Sequence, residues 1–316
     1  MLGRYVKAGL LVAAVVFLVV EGFFVYRWYE RSQQASGAAS GDATGDAGDA
    51  GDPVMVGAGD IAVCSTDADE ATARLLDNIP GTVFTVGDNA YPSGTAAEFE
   101  ECYGPSWGRH KARTKPAPGN HEYETAGASG YFGYFGAAAG DPSKGYYSYD
   151  RGGWHVVALN SNCKEVGGCD ADSPQGRWLR NDLAANPSGC TLAYFHHPLF
   201  SSGSANGNQP RVRPLWNALY AAGAEAVIGA HDHDYERFAP QRPNGTRDEE
   251  RGMRQFVVGT GGGTQHGFGE VQPNSQARNA STPGVLRLAL EPGSYEWEFV
   301  PVAGETFTDS GTTSCH

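Results

Sequence analysis

The chain has 316 residues, which is enough for one large domain or two modest ones. Hydrophobic residues make up 40% of it, so a sizeable core is expected. The formal net charge of -13 excludes the basic surface with which proteins neutralise nucleic-acid phosphates, and no nucleic-acid partner is expected. An acidic protein that handles anions needs local positive charge, which bound metal ions would supply.

The N-terminal residues 1–31 are expected to form a transmembrane signal-anchor. Arg4 and Lys7 precede residues 8–26, whose apolar character is interrupted only by Glu21. This stretch has about the length of a membrane span, and the leading positive charges favour a cytoplasmic N-terminus. A cleaved signal peptide is the alternative, because the uninterrupted apolar core is short enough for one. The rest of the chain is therefore expected outside the cytoplasm, anchored to the cell membrane or, after cleavage, secreted.

Residues 32–52 are expected to be a flexible linker. They repeat Ala, Gly, Ser and Asp, with no aromatic residue and almost no branched side chain. Such a composition cannot bury enough apolar surface to order itself. One catalytic domain, residues 53–316, is expected to follow it.

Strand-like and helix-like segments alternate from residue 53 onward. Apolar runs predict strands over 53–60, 82–91, 154–160, 192–198, 224–228 and 254–259. Helical spacing and capping residues predict helices over 67–79, 173–187 and 212–222. Residues 285–301 alternate apolar and polar side chains across a Pro-Gly-Ser turn, which is typical of a β-hairpin. The order predicts one α/β domain with two sheets, of which the C-terminal hairpin completes the second.

Potential metal ligands follow five segments at their carboxyl ends: Asp60, Asp88, Asn120 with His121, His196 with His197, and His231 with His233. Four of these segments are apolar runs, and residues 115–122 are a proline-stiffened stretch. Open α/β sheets bind ligands at the carboxyl ends of their strands. An extended backbone would also point His231 and His233 to the same side. Each feature alone is typical of a turn, but their coincidence in one chain predicts a metal centre.

These residues lie in five short motifs: GD at 59–60, GDNAY at 87–91, GNHE at 119–122, FHHP at 195–198 and HDHDYER at 231–237. In this order the motifs resemble those of calcineurin-like metallophosphoesterases, and within them the purple acid phosphatase branch. The first motif lacks the histidine of a DxH pattern, a tyrosine follows Asp88 by three residues, and the last motif ends in YER. Beyond Arg237 the glycine turn at 259–263 continues the resemblance. It implies an αββα fold, a two-sheet sandwich flanked by helices, here preceded by the N-terminal hydrophobic helix and linker.

The resemblance also implies a dinuclear metal site. One ion would be held by Asp60, Asp88, Tyr91 and His233, and the other by Asp88, Asn120, His196 and His231. Asp88 can bridge two ions because a carboxylate has two oxygens. A tyrosine phenolate binds best to a hard, strongly Lewis-acidic ion. The first ion is therefore expected to be Fe(III), and the second a divalent iron, zinc or manganese ion.

The reaction that the resemblance implies is hydrolysis of a small phosphorylated substrate by a metal-bound hydroxide. An acid phosphatase acting on phosphomonoesters is expected first. A phosphodiesterase or nucleotide-cleaving enzyme on the same metals is the alternative, because pocket width decides between them. A non-catalytic metal-binding surface domain would predict a broken ligand set, and no ligand is missing.

Candidate catalytic groups lie beside the ligands. His121 is expected to protonate the leaving group or contact phosphate, and otherwise to orient its neighbour Asn120. His197 is expected either to donate a hydrogen bond to the substrate or to pack. The tail of the last motif, Tyr235 and Arg237, would either line the pocket or brace the loop.

One departure from the family pattern concerns the leaving-group side. Purple acid phosphatases usually carry another histidine in the loop after the fourth motif, and residues 201–210 contain none. Asn206 or Asn208 would replace it, or His266 would approach from a later loop.

Six cysteines in an exported domain suggest three disulfides, for which fifteen connectivities exist. Cys163 and Cys169 enclose a short glycine-containing loop and are expected to pair. Cys64 follows the first motif and Cys102 the second, so this pair would join neighbouring loops. Cys190 would then pair with Cys315.

Overall fold

The computed structural model describes residues 53–316. The predicted anchor over 1–31 and the predicted linker over 32–52 lie outside this range. Within residues 53–316, no helix is both long enough and apolar enough to cross a membrane.

Fifteen strands and five α-helices form within the described range. In chain order the strands are β1 (Val54–Ala58), β2 (Ala62–Val63), β3 (Thr82–Val86), β4 (Ala90–Tyr91), β5 (Thr114–Ala117), β6 (Tyr147–Arg151), β7 (Trp154–Ala158), β8 (Thr191–Tyr194), β9 (Ala226–Gly229), β10 (Tyr235–Phe238), β11 (Arg254–Val258), β12 (Ser275–Asn279), β13 (Gly284–Glu291), β14 (Ser294–Pro301) and β15 (Ser310–Ser314). The α-helices are α1 (Ala68–Asn78), α2 (Ala96–Glu98), α3 (Ser129–Phe135), α4 (Pro174–Ala185) and α5 (Arg213–Ala221). Short helical turns of other types cover Phe99–Tyr103, Trp107–Arg113, His121–Glu124, Ala126–Ala128, Gly136–Ala139 and Pro210–Val212.

The strands form two large mixed sheets. The first has the order β15-β14-β13-β1-β3-β5, in which β1, β3 and β5 run parallel. The second has the order β12-β10-β11-β9-β8-β7-β6, in which β7, β8, β9 and β11 run parallel. A small parallel pair, β2 and β4, follows β1 and β3.

The two sheets pack against each other through alternate side chains of their strands. In β7, Val156 and Ala158 belong to the core shared by both sheets, whereas Val157 belongs to a second core on the outer face. Phe84 of the first sheet meets Tyr194 of the second, with ring centroids 5.8 Å apart. Helices α4 and α5 close the outer core with Leu179, Leu183, Leu215, Trp216 and Leu219. The predicted mixed α/β fold with two packed sheets is confirmed.

The predicted helices form within a residue or two of their expected ends. Helix α4 shows why, since Ser173 caps it by accepting a hydrogen bond from the Gly176 N–H at 3.0 Å, and Pro174 occupies its first position. The hairpin also forms, with Gly293 at φ 81° in its turn.

Residues 114–117 in the proline-stiffened stretch form strand β5, and Pro116 is tolerated there because β5 is an edge strand. Two expectations about strands were wrong. His231 and His233 lie in the loop between β9 and β10 rather than in an extended strand. The C-terminal hairpin joins the first sheet, since β13 pairs with β1.

The six cysteines lie in three bonded pairs, Cys64–Cys102, Cys163–Cys169 and Cys190–Cys315, and no free cysteine remains in the described range. This is the pairing expected from the sequence. The first pair joins the loops after β2 and α2, and the last joins the start of β8 to the end of β15. Disulfides of this kind persist in oxidising compartments.

Candidate metal centre

The candidate ligands meet at one edge of both sheets. Strands β1, β3 and β5 of the first sheet lead into Asp60, Asp88 and Asn120, and β8 and β9 of the second lead into His196 and His231. Because these strands are parallel within each sheet, their carboxyl ends lie at a common edge. The structure thereby brings the sequence-predicted residues together.

Three residues of this edge adopt left-handed backbone conformations that side chains other than glycine rarely take. The φ angles are 57° at Asp60, 50° at Asp88 and 70° at His231. The strained loop of His231 is held by its own N–H, which donates to Asp60 Oδ2 at 2.9 Å. Such backbone strain persists only where the surrounding structure fixes it, and it concentrates at functional sites.

Two glycines allow the backbone to approach the carboxylates. A Cβ on Gly119 would lie 2.1 Å from Asp88 Oδ1, and one on Gly259 would lie 2.6 Å from Asp60 Oδ2. Both distances are shorter than any non-bonded contact, so only glycine fits at either position.

The first cluster of polar atoms surrounds the Tyr91 hydroxyl. Tyr91 Oη lies 2.8 Å from Asp60 Oδ1, 3.2 Å from Asp88 Oδ2 and 3.1 Å from His233 Nε2. His233 Nε2 is in turn 3.4 Å from Asp60 Oδ1. These four groups are the predicted ligands of the first ion.

The second cluster surrounds His196 Nε2. That nitrogen lies 3.1 Å from Asn120 Oδ1, 3.1 Å from His231 Nδ1 and 3.1 Å from Asp88 Oδ2. Asp88 Oδ2 therefore belongs to both clusters, as the predicted bridging ligand requires.

The donor chemistry of both clusters fits cations. His196 Nδ1 donates to the Val86 carbonyl at 2.8 Å, and His233 Nδ1 donates to the Thr264 carbonyl at 2.6 Å. In the neutral rings the Nε2 atoms then carry lone pairs, and those lone pairs face carboxylate and amide oxygens. Acceptor atoms converge in this way when a positive charge lies between them, and carbonyl partners of this kind orient metal-binding histidines.

The pKa shifts of the ionisable groups also indicate that positive charge is favourable at this centre. Burial opposes ionisation of Asp60 and Asp88, but the neighbouring histidines outweigh it and hold the pKa of each carboxyl below its usual range. Burial likewise opposes charge on His196 and His233, and the two carboxylates still raise the pKa of each to about 9. No lysine or arginine of the described residues forms a hydrogen bond to these four groups.

The pKa values of Tyr91 and His231 shift the other way: that of the tyrosine rises, unlike those of the two carboxyls, and that of His231 falls, unlike those of the other two histidines. Burial and the charges of Asp60 and Asp88 raise the pKa of Tyr91 well above its usual value. Burial and the charge of His196 lower the pKa of His231 to about 3. In the protein alone the phenol therefore keeps its proton, and a phenolate at this position needs a strong cation beside it.

Glu122 holds the loop of Asp88 and the loop of Asn120 together and was missed as a functional residue. Its buried carboxylate accepts hydrogen bonds from the N–H groups of Asp88 at 3.0 Å, Asn89 at 2.7 Å and Gly119 at 2.6 Å, and a longer one from Ala90 at 3.4 Å. The signal was present in GNHE, where an acid follows a strand end and two candidate ligands.

Ser161 is a second residue that the sequence analysis missed. Its Oγ accepts from the His197 N–H at 3.0 Å and lies 2.7 Å from His197 Nδ1. A Ser161 hydroxyl that donates to Nδ1 would place the remaining ring proton of a neutral His197 on Nε2. Burial lowers the pKa of His197 well below its usual value, so the ring stays neutral. The rule that ligands follow strand ends, applied to β7, would have found Ser161.

His121 and His266 lie on the other side of the centre. The His121 ring packs on Tyr91 with centroids 4.5 Å apart, and its Nε2 is 3.9 Å from Asp88 Oδ2. His266 stacks on His233 with centroids 4.1 Å apart, and its buried Nδ1 has no hydrogen-bond partner within residues 53–316.

The two asparagines considered as histidine replacements are engaged elsewhere. Asn206 Nδ2 donates to the His231 carbonyl at 2.6 Å. Asn208 accepts from the Ser201 N–H at 2.8 Å and donates to Gln272 at 3.1 Å. Both side chains therefore hold the loop in place.

Tyr235 and Arg237 brace the structure instead of lining the pocket. Tyr235 Oη donates to Asp309 Oδ2 at 2.7 Å, and Arg237 donates to both Asp309 oxygens at 2.6 and 3.0 Å. The two side chains thus join β10, just after the ligand loop, to the C-terminal segment.

The fold and this set of side chains are those of a phosphoesterase family. The sequence pattern of the calcineurin-like phosphoesterases matches residues 48–235, more than half of the chain. The protein belongs to this family, and the predicted resemblance is confirmed.

The similar curated proteins are acid phosphatases. Purple acid phosphatase 15 of Arabidopsis thaliana is 26% identical over 240 residues, which cover 65% of this chain and 44% of that protein. Acid phosphatase type 7 of Homo sapiens is 29% identical over 174 residues, which cover 46% of this chain and 39% of that protein. The chain thus spans less than half the length of either relative.

Solved structures of similar fold include different kinds of protein. A purple acid phosphatase from yellow lupin (Lupinus luteus) seeds superimposes with a TM-score of 0.66 at 20% identity, covering 83% of this chain and 53% of that chain. GAP50, described as the anchor in the inner membrane complex of Plasmodium, superimposes with a TM-score of 0.62 at 13% identity, covering 83% and 89%. Identities this low show a shared fold, and function has to be argued from the site.

Proposed function

We propose that the protein is a dinuclear-metal hydrolase of phosphate esters, acting outside the cytoplasm as a phosphomonoesterase of the acid phosphatase type. The observation that carries the proposal is the pair of acceptor clusters that share Asp88 Oδ2. The similarity of this chain to acid phosphatases supports the same reaction.

In this proposal each cluster holds one ion. Asp60, Asp88, Tyr91 and His233 bind the first, and Asp88, Asn120, His196 and His231 bind the second. Bound cations at such a centre neutralise phosphoryl oxygens and lower the pKa of the attacking water. The three anionic ligands of the first cluster suit Fe(III), and the neutral amide and imidazoles of the second suit a divalent iron, zinc or manganese ion.

Other residues of the chain hold the ligands in position and supply a proton. Glu122 holds the backbone of Asp88 and of Gly119, and the carbonyl partners of His196 and His233 fix the ring nitrogens that face inward. His121 is the proposed proton donor to the leaving group, because its Nδ1 lies 2.5 Å from the Pro92 carbonyl and its Nε2 faces the bridging carboxylate.

His197 and His266 have different roles in the proposal. The Nε2–H of His197 is the proposed hydrogen-bond donor to a phosphate oxygen, since Ser161 occupies its other ring nitrogen. His266 covers His233 by stacking and is proposed as a second proton carrier on the first ion's side.

The proposed location rests on the disulfides. Three disulfides in a domain of this size indicate folding in an oxidising compartment. The apolar residues 8–26 would tether the domain to the membrane, with residues 32–52 as the spacer.

The test is hydrolysis of a panel of phosphomonoesters and phosphodiesters by the purified protein and its Asp88→Asn variant. We expect the wild type to release phosphate from monoesters faster than it cleaves diesters, and the variant to lose at least about 100-fold in kcat/KM. Asp141→Asn, which changes an exposed surface aspartate, is the matched control and should behave as wild type. Undiminished hydrolysis by the Asp88→Asn variant would refute the proposal, and faster diester cleavage would favour a phosphodiesterase.

A further inference from the structure

Residues 160–163, called the β7 strap below, directly follow β7 at the edge where the candidate ligands meet. Strand β7 runs parallel to β8, so its carboxyl end lies at the same edge as the end of β8 that leads into His196. Asn160 and Ser161 are fully buried, and Asn162 is 8% exposed. Three buried polar residues in a row need hydrogen-bond partners, and the strap finds its partners in the loops that carry the ligands.

Asn162 holds the loop of the predicted ligand Asn120. Its Nδ2 donates to the Gly119 carbonyl at 3.1 Å, and that carbonyl belongs to the peptide unit that leads into Asn120. On the other side of Asn120, the His121 N–H donates to Asp88 Oδ1 at 2.9 Å. The backbone on both sides of Asn120 is thus fixed, by Asn162 from the second sheet and by Asp88 from the first.

The two preceding residues of the strap contact a loop of each sheet. Ser161 Oγ accepts from the N–H of His197 at 3.0 Å, and His197 is next to a predicted ligand of the second ion. Asn160 Nδ2 donates to Tyr123 Oη at 2.7 Å, in the helical turn that follows the Asn120 loop. The strap therefore connects the loop after β5 of the first sheet with the loop after β8 of the second.

Helix α4 and a disulfide hold the strap itself in place. Gln175 of α4 is fully buried, and its amide accepts from the Asn160 N–H and donates to the Asn160 carbonyl, each at 2.8 Å. At the other end, Cys163 directly follows Asn162 and is bonded to Cys169. The side chain of Asn162 therefore reaches towards the first sheet from a backbone that is anchored on both sides.

We propose that Asn162 is a positioning residue for the second metal ion, which holds Asn120 at the spacing from His196 that the ion requires. This inference rests on the proposed dinuclear centre. Two ligands of the second ion come from each sheet, so their spacing depends on contacts between the sheets, and Asn162 provides one directly at a ligand. Among the described residues its Nδ2 donates to none of the predicted ligands of the first ion. Removal of this side chain should therefore weaken one ion and spare the other.

The experiment titrates Zn²⁺ into the metal-free full-length protein and measures the two binding constants. We expect Asn162→Ala to lower the affinity for one ion by about 10- to 100-fold, the usual loss when a group that orients a ligand is removed, and to leave the other unchanged. Asn162→Ser, which is too short to reach the Gly119 carbonyl, should show the same selective loss and carries the test if Asn162→Ala does not fold. Asn162→Gln keeps an amide donor and should restore part of the affinity.

The matched control is Asn186→Ala. Asn186 is exposed at the end of α4, where its Nδ2 donates to the Asp182 carbonyl at 2.9 Å. The substitution removes the same kind of side chain and the same kind of hydrogen bond away from the centre. Both Zn²⁺ affinities of this variant should equal those of the wild type.

A double-mutant cycle tests whether Asn162 acts through Asn120. Asn120→Ala should weaken the same ion, and adding Asn162→Ala to it should cost little more, because the ligand that Asn162 positions is already gone. His233→Ala removes a predicted ligand of the first ion, and we expect it to weaken the other binding constant. The effects of His233→Ala and Asn162→Ala should therefore fall on different ions.

Three results would overturn the inference while leaving the dinuclear centre intact. They are wild-type affinities in the Asn162→Ala and Asn162→Ser variants, an equal loss for both ions, and losses that add fully to that of Asn120→Ala. A wild-type protein that binds fewer than two Zn²⁺ ions would instead refute the proposed centre, and this inference with it.

Discussion

Tyr91 distinguishes the proposed centre from one built only of carboxylates and imidazoles. Its hydroxyl is the meeting point of the first cluster, and its ring packs on His121 at 4.5 Å and on His233 at 5.9 Å between centroids. The side chain thus combines a ligand atom with a packing surface. Replacement by phenylalanine separates these two roles.

We expect Tyr91→Phe to keep the fold and to weaken the first metal site. The ring contacts survive, whereas the phenolate oxygen is lost, so metal affinity and kcat/KM should each fall by about 10- to 100-fold. With iron bound, the wild type should show a visible absorption band from the tyrosinate, and the variant should lack it. A band of equal intensity in the variant would contradict the ligand role of Tyr91.

Glu122 provides a prediction about positioning. Glutamine has the same shape but only one acceptor oxygen, so Glu122→Gln leaves some of its buried N–H partners without an acceptor. Each unsatisfied buried donor costs about 1–3 kcal/mol. We expect a lower free energy of unfolding in urea and weaker metal binding.

The control for this prediction is Glu124→Gln, an exposed acid two residues away. It should change neither quantity. If Glu122→Gln unfolded at the same urea concentration and bound metal as tightly as the wild type, the positioning role would be wrong.

At the scale of elements, strand β10 and the C-terminal segment are joined by a charged contact. Burial alone would raise the pKa of Asp309, but hydrogen bonds from Arg237 and Tyr235 outweigh it and hold that pKa below its usual range. Trp297 of β14 adds a longer hydrogen bond at 3.3 Å. The contact therefore ties three elements together directly behind the ligand loop.

This contact predicts a pH-dependent stability. A carboxyl whose pKa is lowered on folding contributes stability above its unfolded pKa of about 3.9, and the contribution is lost as the pH falls through the lower folded pKa. We expect Asp309→Asn to lower the free energy of unfolding by about 1–3 kcal/mol near pH 6, and by less below pH 4. Urea unfolding at both pH values measures the difference. The exposed Asp172→Asn variant should show none, and a pH-independent loss in Asp309→Asn would contradict the account.

The elements that the sequence could predict are those with local signals. Helix α4 has a serine cap and a leading proline, and β7, β8 and β9 are mostly apolar runs. The placement of Asp60, Asp88 and His196 followed from the rule that parallel strands present ligands at their carboxyl ends. That rule depends only on chain direction, so it needs no knowledge of tertiary contacts.

The features that escaped prediction depend on distant partners. Strand β5 contains Pro116, and only its edge position makes that residue acceptable. The left-handed loop at His231 is stabilised by Asp60, which lies 171 residues earlier. The carboxylate of Glu122 and the hydroxyl of Ser161 act through hydrogen bonds to other loops. None of these partners lies within the window that a local pattern covers.

At the scale of the whole molecule, two sheets from different parts of the chain meet to form one centre. The first sheet contributes Asp60, Asp88 and Asn120, and the second contributes His196, His231 and His233. Each cluster draws ligands from both sheets, so the sheet packing and the metal centre depend on each other. We expect bound metal to raise the unfolding temperature, since ligands that bind only the folded state stabilise it.

The most direct test of this account is to measure metal content and phosphomonoester hydrolysis together, before and after metal removal. We expect chelation to abolish hydrolysis, and activity to return as metal is added back until about two ions are bound per chain. Binding of two ions with full recovery would support the shared centre at Asp88. Hydrolysis that survives complete metal removal, or recovery that needs no more than one ion, would contradict it.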